Sequence, residues 1–73
     1  MLVELYGTSG CHLCDQAKDI LRLADIAYAP VEVADNDALF EKYGMRIPVL
    51  RRADSDAELG WPFDRIAVER FLS

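Results

Sequence analysis

Leu13, Ala17, Ile20, Leu21 and Ala24 recur at i, i+4, i+7, i+8 and i+11, with His12, Asp15, Gln16, Lys18, Asp19 and Arg22 filling the positions between. A 3.6-residue period of this kind predicts an amphipathic helix with one apolar stripe turned inward. Ahead of it, Leu2–Tyr6 is a short, mostly apolar run closed by Gly7, which suits a buried strand feeding the turn Gly7-Thr8-Ser9-Gly10. Tyr28–Val33 also has strand composition, but Pro30 has no N–H to donate. It confines the segment to a sheet edge or to a start beyond the proline.

Further along, Asp35, Asn36 and Asp37 offer side chains to cap a short second helix with Leu39, Phe40 and Tyr43 on its apolar face. Gly44 stands where such a helix would end in the left-handed region. Val49–Arg52 and Ala57–Leu59 predict two brief strands around the polar loop Ala53–Asp56. Asp64 caps a last helix whose Ile66, Ala67, Phe71 and Leu72 turn inward. The order β-α-β-α-β-β-α implies an α/β fold: a parallel crossover first, a hairpin later, and a mixed four-stranded sheet flanked by helices.

The chain has 73 residues, enough for one domain over 1–73 with a thin core. With 52% hydrophobic and 29% charged residues it has the composition of a packed globular chain, not a disordered one. Eight basic residues against 13 acidic give a net charge of −5, and the cations are scattered, so nucleic acid and anionic membrane are excluded as expected partners. The first residues carry no basic leader and no cleavage site, and no apolar run is long enough to span a bilayer. A cytoplasmic monomer is the expectation, in a compartment where thiols are kept reduced and a close cysteine pair points to redox chemistry.

The two cysteines of the chain are Cys11 and Cys14, at the predicted start of the first helix. The first amides of a helix lack intrahelical acceptors and carry the positive end of the dipole, so a Cys11 thiolate is stabilised there. Lowering its pKa from ~8.5 to ~7 would raise the reactive fraction at neutral pH from a few per cent to about half. Cys14, one turn on and shielded by the domain, is placed to resolve a mixed disulfide formed at Cys11. His12 lies between them, either stabilising the thiolate as an imidazolium or standing in solvent as an ordinary surface residue. A mononuclear zinc site needs four ligands as a rule; with two cysteines and one histidine in all, no metal is expected.

Leu5-Tyr6-Gly7-Thr8-Ser9-Gly10-Cys11-His12-Leu13-Cys14 together with Tyr43-Gly44-Met45-Arg46-Ile47-Pro48-Val49-Leu50 resembles the glutaredoxin-like branch of the thioredoxin superfamily, in particular its small bacterial members. The resemblance covers nearly the whole chain and implies the thioredoxin-like fold. It assigns Pro48 a cis peptide bond facing the cysteine pair, and the Ile47 backbone a place beside Cys11 where an extended substrate segment adds as a strand. The implied activity is dithiol thiol-disulfide oxidoreduction on protein or small-molecule disulfides. Its electrons would come from a cellular thiol system, with glutathione as a candidate reductant and no bound cofactor.

The chain departs from glutathione-using members. Gly7–Gly10 lacks a basic residue, His12-Leu13 stands between the cysteines, Arg46-Ile47 precedes Pro48, and Leu59-Gly60-Trp61 lacks a second glycine. Trp61 is a candidate contact for a partner protein beside the cysteines, or a cover for the end of the core. The rival class of function is a non-catalytic thioredoxin-fold adaptor, or a dimer holding an iron-sulfur cluster between chains.

Overall fold

The computed structural model describes residues 2–73. Among them the order is β1 (Val3–Gly7), α1 (His12–Leu23), β2 (Ala29–Glu32), a 3₁₀ turn (Val33–Asp35), α2 (Asp37–Tyr43), β3 (Val49–Arg52), β4 (Glu58–Gly60) and α3 (Arg65–Leu72). The strands form one sheet in the order β2-β1-β3-β4. The β1–β2 pair is parallel, and β1–β3 and β3–β4 are antiparallel, which makes the sheet mixed. Pro30 sits inside β2 opposite Leu5, and this is tolerable because β2 is an edge strand.

Strand alternation sorts the core into two clusters on opposite faces of the sheet. Val3 and Leu5 of β1 and Leu50 of β3 point to one face, where they meet Ala17 and Leu21 of α1, Val68 of α3 and Phe63. Tyr6 and Val49 point to the other, against Val33 and the α2 residue Tyr43. The result is three layers, with α1 and α3 on one side of the sheet and α2 on the other. No helix among the described residues is long and apolar enough to cross a membrane.

Local chemistry sets the helix ends. At the close of α1, Ile26 N–H donates to Leu21 O at 2.9 Å and Asp25 N–H to Arg22 O at 3.1 Å, with Asp25 at φ 59°. This is a Schellman stop, with an aspartate in the position where glycine is usual. Asn36 Oδ1 accepts Leu39 N–H at 3.0 Å to cap α2, and Asp64 Oδ1 accepts Ala67 N–H at 2.8 Å to cap α3.

Four expectations fail at the level of facing and backbone. Leu13, Phe40 and Ile66 are exposed; Cys14, Leu39 and Tyr43 face inward as expected, and Val68 is buried without having been expected to be. Most of each expected stripe faces the core: Ala17, Ile20 and Leu21 on α1, Leu39 and Tyr43 on α2, and Ala67, Phe71 and Leu72 on α3. Gly44 has φ −54° and ψ −33°, which is right-handed. Glycine is needed there for space, because a Cβ would lie 2.5 Å from Phe40 O and 2.9 Å from the Phe40 ring.

The α2 face of the sheet also carries a network of charged groups. Arg51 Nη1 donates to Glu4 Oε1 at 2.6 Å across the β1–β3 pair, and Arg51 also pairs with Asp56. Tyr43 OH donates to Glu58, which accepts from Arg46 Nη2 at 2.8 Å as well. The Tyr43 hydroxyl and the Arg46 guanidinium hold the Glu58 carboxyl below its ordinary value, while burial, then the bond to Glu58, push the Tyr43 phenol up.

Two predictions follow from this packing. Leu21→Ala, at a position with 0% exposure, should cost about 2–5 kcal/mol in urea unfolding, most of what a domain this small holds. Leu23→Ala, at 68% exposure, should stay within ~0.5 kcal/mol of wild type. The Glu58 contribution is complete above the ordinary carboxyl value of 4.5 and is lost as pH falls through its lowered folded value. The Tyr43 contribution is complete below 10.0 and is lost as pH rises through its raised folded value. Unfolding free energy measured against pH should fall at both ends, and Glu58→Gln should flatten the acid side.

Candidate functional site

At Gly7 the chain leaves β1 and turns back, Cys11 N–H reaching Thr8 O at 3.4 Å. Gly10 is the third residue of that turn and has φ 77°, a region where a side chain is strained. Cys11 follows in extended conformation, φ −86° and ψ 112°, as the N-cap of α1. Its carbonyl accepts the Asp15 N–H at 3.1 Å, and its Sγ accepts the Cys14 N–H, also at 3.1 Å. Sulfur here fills the role that a serine, threonine or aspartate oxygen fills at most helix starts. The same geometry sets the Cys11 sulfur against an amide with no intrahelical acceptor, at the positive end of the helix.

The sulfurs of Cys11 and Cys14 are joined in a disulfide across a Cα–Cα distance of 5.2 Å. Cys11 is half-buried, whereas Cys14 is 1% exposed. The burial of Cys14 depends on Gly7. Two residues beyond Leu5, Gly7 belongs to the α1-facing side of β1, and a Cβ there would stand 3.0 Å from Cys14 Sγ and 3.3 Å from Cys14 Cβ. The missing side chain is the space that the inner sulfur occupies.

The sheet register gathers the other candidate residues at the same end. Tyr6 pairs with Val49, and Val49 with Gly60, so Gly7, Pro48 and Trp61 are the steps off three adjacent strands. The Ile47–Pro48 and Trp61–Pro62 peptide bonds are both cis. Pro48 is fully buried, and Ile47 packs partly buried against the Tyr6, Val33, Tyr43 and Val49 cluster, its N–H donated to Tyr43 O at 3.0 Å. Trp61 is half-buried against the α1–α3 core and meets Phe63 edge to face, ring centroids 5.0 Å apart. His12 is exposed at the first position of α1.

Two residues at this end escaped sequence reasoning. Gly7 reads there as a strand terminator, and its role as a socket for Cys14 depends on which face of β1 it closes. Glu32 reads as one more polar residue of an edge strand, yet its carboxylate accepts Ser9 N–H at 3.0 Å, within the turn that carries Cys11. A carboxylate at the end of the strand parallel to β1 was the available signal, and it acquires meaning only once the register pairs Glu32 with Gly7. No group of three or more His, Cys, Asp or Glu among the described residues is arranged to hold a metal ion.

Residues 2–73 match the family described as Glutaredoxin-like domain (DUF836). The X-ray structure of the protein XcR50 from X. campestris is similar over 96% of this chain and 93% of its own, at 42% identity and a TM-score of 0.89. The solution structure of Ne2328 from Nitrosomonas europaea matches over 99% and 91%, at 28% identity and a TM-score of 0.82. A mutant of the thioredoxin-like protein BC3987, at 18% identity and a TM-score of 0.70, covers 97% of this chain and 99% of its own, and shares the fold. No curated protein matches the chain significantly.

Filling the Gly7 socket should perturb the pair directly. Gly7→Ala is expected to cost about 1–3 kcal/mol through overpacking and to shift the redox equilibrium of the pair against glutathione. Gly60→Ala, where a new Cβ meets nothing within 4 Å, should leave the redox equilibrium unchanged.

Proposed function

The chain belongs to the glutaredoxin-like family, and on that premise we propose that it is a thiol-disulfide oxidoreductase working through Cys11 and Cys14. The observation that carries this reading is the unequal exposure of two bonded sulfurs, the outer one capped by a helix amide and the inner one buried against Gly7. In the reduced protein, the Cys11 thiolate attacks one sulfur of a substrate disulfide. A Cys11–substrate bond forms as the substrate S–S bond breaks, and the second substrate sulfur leaves as a thiolate. Cys14 then loses its proton and attacks Cys11 Sγ, closing the intramolecular disulfide and releasing the first substrate sulfur as a thiolate. The substrate has gained two electrons and the pair has lost two. A cellular dithiol, or two molecules of a monothiol such as glutathione, returns the protein to its reduced state.

The rest of the strand end supports this assignment of roles. A substrate segment adding beside Pro48 pairs through the Ile47 carbonyl, because the Ile47 N–H is already donated to Tyr43. His12, exposed beside the pair, adds positive charge near Cys11 when protonated. Trp61 supplies an aromatic surface on the far side of Pro48. The absence of a basic residue in Gly7–Gly10 favours peptide disulfides over glutathione as the bound partner.

The mechanism separates the two thiols. With dithiothreitol as electron source and either insulin or bis(2-hydroxyethyl) disulfide as substrate, Cys11→Ser should bring turnover to background. Cys14→Ser, reduced beforehand and mixed with the disulfide after the dithiothreitol is removed, should retain the first step and accumulate a mixed disulfide at Cys11, visible by mass spectrometry. Wild-type turnover in Cys11→Ser, or no adduct in Cys14→Ser, would sink the assignment.

A further inference from the structure

Glu32 is the last residue of β2, and its register partner Gly7 is the last residue of β1. From there its carboxylate reaches two segments at once. Oε1 accepts Ser9 N–H at 3.0 Å and Oε2 accepts Ala34 N–H at 3.2 Å. One side chain thus bridges the turn leading to Cys11 and the 3₁₀ turn that follows β2. The Thr8 hydroxyl, then the Ala34 amide, hold the Glu32 carboxyl below its ordinary value, with the Ser9 amide and the Lys18 ammonium of α1 acting in the same direction against desolvation. The group is ionised at neutral pH, and hydrogen bonds to an ionised acceptor are the strong kind.

The bridged turn needs an external hold. Ser9 and Gly10 are exposed, Gly10 is the residue with most conformational freedom to lose, and the bond closing the turn, Cys11 N–H to Thr8 O, is long at 3.4 Å. We propose that Glu32 is a positioning residue for Cys11, clamping Thr8–Ser9 to the end of β2 so that the cysteine stays at the cap of α1 with its sulfur on the Cys14 N–H. The inference rests on the redox reading of the pair and adds a residue to it that touches neither sulfur.

Removing Glu32 has two opposed effects on a Cys11 thiolate. Loss of a negative charge lowers the thiol pKa, and loss of the cap geometry raises it. The carboxylate faces solvent, where salt screens charges over ~8 Å, whereas helix-start cysteines move by a unit or more. The cap therefore dominates and the pKa rises.

The test uses reduced full-length protein carrying Cys14→Ser, which leaves Cys11 as the one thiol, and follows iodoacetamide alkylation against pH. Adding Glu32→Ala should raise the midpoint by about half a unit to one unit, which from a value near 7 is about two- to sixfold less thiolate at neutral pH. Glu32→Gln, which keeps one acceptor oxygen, should fall between, and Thr8→Val should move the same way by less. Circular dichroism on the same samples establishes folding, and Glu32→Gln decides if Glu32→Ala unfolds. An unchanged midpoint in the folded variant, or a lowered one, overturns the clamp. Absent disulfide turnover in the wild type would instead overturn the redox reading while leaving this comparison intact.

Discussion

The hydrogen bond from the Cys14 amide to the Cys11 sulfur is the contact on which the geometry of the cysteine pair depends. It exists because α1 begins immediately after the turn leaving β1, so that the first unpaired amides of the helix point at the residue before it. Any N-cap side chain would satisfy one of those amides. A cysteine there also has its anionic form favoured by the helix end, and its bonding partner one turn along is held on the same helix. Displacement of α1 along β1 would separate the cap, the inner sulfur and the socket at Gly7, so the α1–β1 packing through Ala17, Leu21, Val3 and Leu5 is what keeps the site assembled.

The sheet contributes direction. β1 and β2 run parallel and end side by side at Gly7 and Glu32, while the antiparallel β3 starts and β4 ends at that same edge. Loops carrying Cys11, Ile47-Pro48 and Trp61 therefore leave from one end, and the carboxyl ends of parallel strands are where α/β sheets usually open a crevice. The two faces divide the remaining work. Burial on the α1–α3 side is almost purely aliphatic and aromatic. The α2 side mixes Tyr6 and Tyr43, ring centroids 4.5 Å apart, with the ion pairs of Arg51 and Glu58. The inner sulfur is thus set into the apolar side, away from the charged ladder.

Three large apolar residues on the surface, Leu13, Phe40 and Ile66, show how a helix face is chosen. On each helix a smaller or more polar residue holds the inward position: Cys14 on α1, Tyr43 on α2 and Val68 on α3. The inward direction is set by how each helix crosses the sheet, which depends on residues far away in sequence. Periodicity defines a stripe only to within about one residue, and a tie between Leu13 and Cys14 is broken by the hole at Gly7.

Element order, the hairpin, the cap at Asp64 and the placing of the cysteine pair at a helix start were determined by sequence, as was the narrowing of the second cap to Asp35, Asn36 or Asp37 and of Pro30 to an edge strand or a strand start, because each arises from local chemistry: a period, a missing N–H, a capping oxygen, a polar loop. Facing, register and long-range grips were decided only by tertiary structure. Gly44 is required by the nearness of the Phe40 carbonyl and not by handedness, and Glu32 meets Ser9 only because β2 pairs with β1 in a particular register. Those contacts join residues more than 20 positions apart, or depend on a backbone path set by packing, and short-range patterns carry no record of either.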